Sequence, residues 1–428
     1  MTQNNILKIS DTFSLPTDAV SQTFAILARK RSGKTYTASV IAEEMVYNKI
    51  PFVVLDPTGA WWGLRSGKDG MPKGGLPVYV IGGAHGIPLE STAGKVIADQ
   101  VVEHPSYYVI DLSGFSSNAE QDRFATDFGE RLYRAKDKHR FPMHLFIDEA
   151  DSFAPQKPMP NQMRMLGAYE ALVRRGGIKG IGITMITQRP AVINKNILSQ
   201  LECLMVLQMT SPHDQDAIED WVKRNGTEER KKTLMSSLAS LGKGECWIWS
   251  PAWLDIFKKV QIRERHTYNS SATPEYGSKN VQPILKPINL DKLSEQIRAT
   301  AERVKESDPE ILKRKIRELQ DKLSRADKQH EQDAKRVAPS NKDSRRDIKF
   351  IQTHLAKAQK LAEQVTEFMK RLTTELAVPP HLMDRVPENY SSMDRQKTVI
   401  GQRIYNRRGE LIEEIKFNPI QNNKTSNQ

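Results

Sequence analysis

Lys34 and Thr35 close the run Ala28-Arg29-Lys30-Arg31-Ser32-Gly33-Lys34-Thr35, which keeps the spacing G-x-x-x-x-G-K-[ST] with alanine in place of the first glycine. An apolar segment, Thr23–Leu27, leads into the run, and a helical pattern, Tyr36–Val46, follows it. A phosphate-binding loop needs that order, because the free N–H groups and dipole of a helix N-terminus then face the phosphates. The Lys34 ammonium suits the β- and γ-phosphates of ATP, and the Thr35 hydroxyl suits Mg2+. Arg31, Ser32, Gly33 and Tyr36 complete the stretch expected to line the nucleotide. Alanine at position 28 costs little if its backbone stays in ordinary φ/ψ space.

A second run, Met143-His144-Leu145-Phe146-Ile147-Asp148-Glu149, is apolar until it ends in two carboxylates. That is the form of a buried parallel strand whose C-terminal end enters a site. Asp148 suits the Mg2+ shell, and Glu149 suits the orientation or deprotonation of an attacking water. A third run extends from Arg174-Arg175 through Gly176-Gly177-Ile178-Lys179-Gly180 and a β-branched strand to Thr187-Gln188-Arg189-Pro190. It reads as a helix ending in two arginines, a Gly-rich turn, and a strand that delivers Gln188 to the rim. There Gln188 can hydrogen-bond both water and phosphate and so sense the γ-phosphate.

The elements that must position these residues alternate. Strands are expected at Thr23–Leu27, Phe52–Leu55, Val78–Ile81, Tyr107–Asp111, His144–Ile147, Gly182–Thr187 and Leu204–Gln208. Helices fit Tyr36–Val46, Ala119–Arg134, Gln162–Arg174 and Asp214–Trp221, which makes the region α/β with a largely parallel sheet. Asp56, Asp148-Glu149 and Thr187-Gln188 end strands at one rim, where ligands bind in open parallel sheets. Glu245–Trp249 and Val260–Ile262 read as two further strands, with Trp247, Trp249 and Trp253 in the core. Arg263, Arg265 and His266 then form a small basic edge.

Ser271–Gly277 and the pair Pro283/Pro287 mark a linker, and the texture changes beyond it. Ser307-Asp308-Pro309-Glu310 reads as a helix start. Leu312, Ile316, Leu319 and Leu323 follow heptad spacing, and the series from Ile348 to Leu376 repeats it, as in a helical hairpin or helices paired between subunits. Val399–Phe417 fits a β-hairpin before a polar tail. The expected division is therefore 1–280 for the α/β domain, 281–380 for the coiled-coil-like helices and 381–428 for a small hairpin and tail.

At 428 residues, 38% hydrophobic and 27% charged, the chain has ample material for a core. Its net charge of +12 points to an acidic partner, nucleic acid first, although most of the excess lies among mixed charges beyond residue 280. No apolar run has the length of a membrane span, and Met1-Thr2-Gln3-Asn4-Asn5 lacks signal-peptide character, so a cytoplasmic protein with no membrane partner is expected. Cys203 and Cys246 fit small buried hydrophobes in a reducing compartment.

With these motifs in place, the chain resembles the HerA/FtsK superfamily of P-loop ATPases, and HerA-like proteins in particular. The resemblance rests on the phosphate loop, Phe52–Gly59, Tyr108–Ser113, Ile147–Ala150 with Phe153-Ala154-Pro155, and Thr187–Pro190, within about residues 15 to 275. It implies a RecA-like sheet with helices on both faces and an ATP- and Mg2+-dependent motor. It also implies a homo-oligomeric ring, a hexamer, acting on double-stranded DNA. By the same resemblance, Arg174 or Arg175 serves as the arginine that completes a neighbour's ATP site. Two departures stand out: Ala28, and Ala60 where members often carry an acid. The position of the phosphate loop leaves no room for the N-terminal barrel of many members. An alternative is a nucleotide-gated scaffold whose C-terminal helices recruit a protein partner. The spelling Asp148-Glu149-Ala150-Asp151 also matches DEAD-box RNA helicases, but those need a second RecA-like domain, and the region beyond residue 290 is heptad-like.

Overall fold

The computed structural model describes residues 6–273 and 283–307, together with 320, 324, 351–357, 360, 401–405 and 411–416. The chain divides into two units, Met1–Leu323 and Ser324–Gln428. In the second, Gly401–Tyr405 and Leu411–Lys416 pair antiparallel, and residues 351–357 are helical. The heptad positions from Leu312 to Leu323, and those after Leu355, lie outside the described residues.

The first unit begins with a short antiparallel pair, β1 (Ile6–Lys8) and β2 (Ser14–Pro16). Then follow β3 (Thr23–Leu27), α1 (Lys34–Tyr47), β4 (Phe52–Asp56), β5 (Tyr79–Gly82), α2 (Gly94–Glu103), β6 (Tyr107–Asp111), α3 (Asn118–Ala135) and β7 (Met143–Ile147). The chain continues with α4 (Met163–Arg175), β8 (Ile181–Thr187), α5 (Lys195–Leu198), β9 (Cys203–Val206), α6 (Pro212–Asn225) and α7 (Glu228–Ser237). It closes with β10 (Glu245–Ser250), β11 (Ile256–Gln261) and α8 (Leu290–Ser307). One nine-stranded sheet has the order β11-β10-β9-β3-β8-β7-β4-β6-β5. It is parallel from β9 to β5, and β10 and β11 add to the β9 edge antiparallel.

Strands β3, β4 and β7 are buried on both faces, which is why they read as unbroken apolar runs rather than alternating ones. Ala25, Leu27, Val53 and Leu55 face a core shared with α2, α3 and α4. Phe24, Ile26, Phe52 and Val54 face the other core, with Ala38, Ile41 and Met45 of α1. Helices therefore cover both faces, as the alternating sequence pattern implies. Cys203 and Cys246 are buried free thiols.

Two regions differ from expectation. Arg263 and Arg265 form no basic edge, because buried carboxylates of α1 draw them inward. Arg263 pairs with Glu43 at 2.8 Å and Glu44 at 2.7 Å, while Arg265 is 1% exposed against the Tyr36 ring. The stretch around Pro283 and Pro287 is also pinned rather than free: Ile284 N donates to Gly70 O and Lys286 N to Arg65 O. Arg65 returns a bond from its guanidinium to Lys286 O. The following α8 buries Leu293 in the core beside α2; of the expected helix start at Ser307, the residues Asp308, Pro309 and Glu310 lie outside the described residues. No helix among the described residues is long and apolar enough to cross a membrane.

Candidate active site

The phosphate loop leaves β3 and turns into α1 at Gly33, whose φ of 97° places it in the left-handed region that suits glycine. Ala28 is not among the residues with positive φ and extends the sheet by donating to Thr187 O, so alanine serves there. Arg31 does adopt φ 65°, a conformation that a side chain disfavours. Gly33 offers no side-chain cap to the first-turn N–H groups of α1. Ser32 Oγ is buried with no hydrogen-bond partner among the described residues. An orphaned hydroxyl beside uncapped N–H donors fits a phosphate, which satisfies both.

Across the sheet, β7 delivers Asp148 and Glu149 to the same place. Thr35 Oγ1 donates to Asp148 Oδ2 at 3.0 Å, and Lys34 Nζ pairs with Glu149 Oε1 at 2.9 Å. Glu149 sits at φ 45°, an outlier of the kind concentrated at working sites. Burial pushes its carboxyl up, and Lys34 opposes that shift only in part. Strand β8 lies between β3 and β7, so Gln188 at its end falls between the two motifs; its Nε2 lies 3.5 Å from Glu149 Oε1, a long and weak contact. Thr187 Oγ1 fixes the same corner by donating to Asp151 at 2.7 Å. Thr35 and Asp148 bring together two oxygens that could hold Mg2+, a cation that keeps waters and phosphate oxygens in its remaining positions.

Not every residue singled out in the sequence joins this group. The Tyr36 hydroxyl accepts a hydrogen bond from Arg265 N at 2.8 Å and its ring lies under the Arg265 guanidinium, so its side chain anchors α1 and only its backbone N–H is left for a ligand. Arg174 and Arg175 are exposed at the end of α4, next to the start of β8. The site lies at the opposite end of that seven-residue strand, roughly 20 Å away at about 3.3 Å per residue, so neither arginine reaches the ATP site of its own chain.

Two residues beside the site carry more than their sequence context suggests. Asp56 at the end of β4 accepts from Thr58 N, Thr58 Oγ1 and Gly59 N through Oδ1, and from Trp61 N through Oδ2. Burial, with Asp148 and Asp111 nearby, still pushes its carboxyl up to about 7. Trp61 then donates its indole N–H to Asp148 Oδ2 at 2.9 Å. The only sequence signal for that contact is the tight turn Asp56-Pro57-Thr58-Gly59, which brings the chain straight back to the rim.

A parallel sheet carrying this loop, this carboxylate pair and this intervening glutamine defines the P-loop ATPase class. The chain belongs to the HerA helicase family: the family model described as "Helicase HerA-like C-terminal" matches residues 125–378, and "Helicase HerA, central domain" matches residues 11–81. Similar curated proteins include the DNA double-strand break repair helicase HerA of Pyrococcus furiosus, 31% identical over 206 residues, covering 45% of this chain and 35% of that protein. The probable DNA double-strand break repair helicase HerA of Methanocaldococcus jannaschii is 32% identical over 107 residues, covering 25% of this chain and 20% of that one. The chain thus spans about a third or less of these relatives. Among solved structures, VirB4 of Thermoanaerobacter pseudethanolicus aligns with a TM-score of 0.42 at 10% identity, over 62% of this chain and 97% of that one. The genome packaging NTPase B204 of Sulfolobus turreted icosahedral virus 2, solved with ATP-gammaS, aligns with a TM-score of 0.40 at 14% identity, over 57% of this chain and 98% of that one.

Proposed function

We propose that this protein hydrolyses ATP as a motor subunit that assembles into a ring with copies of itself and acts on double-stranded DNA. The observation that carries the reading is the pairing of Lys34 with Glu149 and of Thr35 with Asp148, which brings the start of α1 and the end of β7 to one place. Lys34 exchanges its Glu149 partner for the phosphates, and the first-turn N–H groups with Ser32 Oγ cradle them. Mg2+ held by Thr35 and Asp148 would draw charge off the phosphate oxygens. Glu149, freed from Lys34, takes the proton of the attacking water, and its raised pKa strengthens it as a base near neutral pH. Gln188 holds that water against the γ-phosphate.

Arg174 or Arg175 of a neighbouring copy supplies positive charge as the phosphoryl group transfers; their place at the opposite rim supports a role between subunits rather than within one. The DNA assignment draws on the names of the curated relatives and on the +12 charge. The test is ATPase turnover of the full chain with and without duplex DNA, alongside its native mass with a non-hydrolysable ATP analogue. Turnover that rises with duplex and a ring mass support the reading. A ring that forms on ATP yet ignores DNA overturns the motor and favours the scaffold.

A further inference from the structure

Trp61 is fully buried, and its indole nitrogen is a donor with no acceptor capacity, so it needs one acceptor inside the protein. That acceptor is Asp148 Oδ2 at 2.9 Å, the same oxygen that receives the Thr35 hydroxyl at 3.0 Å. Asp148 Oδ1 receives Glu149 N at 3.0 Å. The carboxylate is thereby held in rotation by three donors from three segments: α1, the loop after β4, and its own strand end.

The indole is itself held firmly. Its backbone N–H donates to Asp56 Oδ2 at 2.9 Å, and its ring packs against Phe146 of β7 with centroids 5.6 Å apart. Asp56 is fixed in turn by Thr58 and Gly59. The loop after β4 is thus a bracket that carries one N–H to one carboxylate oxygen. Thr35 spends its single hydroxyl proton on that oxygen, which leaves its lone pairs free to face outward. A rotation of Asp148 would turn the Thr35 hydroxyl with it.

We propose that Trp61 is a positioning residue for the metal site, setting the orientation of Asp148, and through it of Thr35, for a divalent cation bound with ATP. The proposal rests on the ATP reading above. Donors of this outer kind typically change metal affinity by about 10- to 100-fold when removed. A tryptophan that merely filled space would not have that effect.

Trp61→Phe keeps an aromatic ring against Phe146 and deletes the N–H. If that variant does not fold, benzothienylalanine at position 61 keeps the two-ring shape and deletes the same donor. The assay is binding of a fluorescent non-hydrolysable ATP analogue to the full chain, in EDTA and across a Mg2+ titration. The expected result is unchanged affinity in EDTA and a half-saturating Mg2+ concentration raised about tenfold or more. The same Mg2+ requirement in variant and native protein overturns the proposal, even if the variant melts earlier. Native protein that binds no nucleotide under either condition overturns the ATP reading itself, and this one with it.

Discussion

Glu149→Gln separates the two tasks assigned to that side chain. In the proposed reaction the carboxylate takes the proton of water, and in the structure it pairs with Lys34 at 2.9 Å. Loss of a general base costs roughly 10²- to 10⁴-fold in kcat. Binding should move the opposite way. The Lys34 and Glu149 side chains are 13% and 18% exposed, so their pairing resists departure of the lysine toward the phosphates. A partly screened pair of this kind contributes about 1 kcal/mol, which corresponds to roughly fivefold tighter ATP binding once the amide replaces the carboxylate. Steady-state turnover gives kcat, and equilibrium binding of ATP to the variant gives the affinity. A slow variant that binds ATP as well as or better than the native protein is expected. A fall in ATP affinity parallel to the fall in kcat would refute the exchange of Lys34 between the carboxylate and the phosphates. Undiminished turnover would remove Glu149 from the chemistry.

Three further outcomes are expected. Asp56 titrates near 7 in the folded chain against 3.8 when unfolded, so the folded form binds the extra proton between those values and stability falls as pH rises through that window. At 1.36 kcal/mol per pH unit the two units from pH 5 to about 7 remove about 3 kcal/mol; urea unfolding in Mg2+-free buffer at pH 5 and pH 8 measures it, and Asp56→Asn should flatten the slope. Neither Lys34→Ala nor the pair Arg174→Ala/Arg175→Ala should turn over alone, but mixing the two proteins should restore part of the ATPase, since one supplies the loop and the other the arginines; no recovery in a verified mixed assembly refutes the action between subunits. Arg31→Gly relieves a φ of 65° and should raise unfolding free energy by about 1 kcal/mol in a denaturant titration; a loss of stability would show that the arginine side chain contributes more than its backbone costs.

The strands that build the sheet were legible because their burial on both faces leaves continuous apolar runs, and β3, β4, β6 and β7 lie where those runs predict. Helix α2 was not. Its Val96-Ile97 and Val101-Val102 pairs are β-branched, and two such short apolar pairs separated by polar residues read as strand or helix alike. The loop and carboxylate motifs were legible because phosphate and metal chemistry restricts residue type and spacing. The fate of Arg263 and Arg265 was not, since only the fold reveals that Glu43 lies 0% exposed on the inner face of α1 and draws them in. Trp61 was hidden for the same reason: a tryptophan signals burial in sequence, while the oxygen that its N–H finds is set by a strand 87 residues away.

Several unfavourable features meet at the site independently of any motif. Two of the four non-glycine residues with positive φ among the described residues, Arg31 and Glu149, stand at one rim of the sheet. The buried orphan Ser32 Oγ and the carboxylates Asp56 and Glu149, both held above their ordinary range, stand there with them. Natural sequences keep local and global preferences consistent except where function demands otherwise. The unsatisfied donors and the crowded carboxylates at this rim would be relieved by the same event. An anion would satisfy the loop donors and the Ser32 hydroxyl, and a cation beside Asp148 would lower the repulsion that adds to burial in raising Asp56. Saturating Mg2+ and a non-hydrolysable ATP analogue together should therefore stabilise the fold more at pH 8 than at pH 5, because only the ionised carboxylates gain from the cation. An equal shift in melting temperature at both pH values would show that the strain at this rim is unrelated to nucleotide.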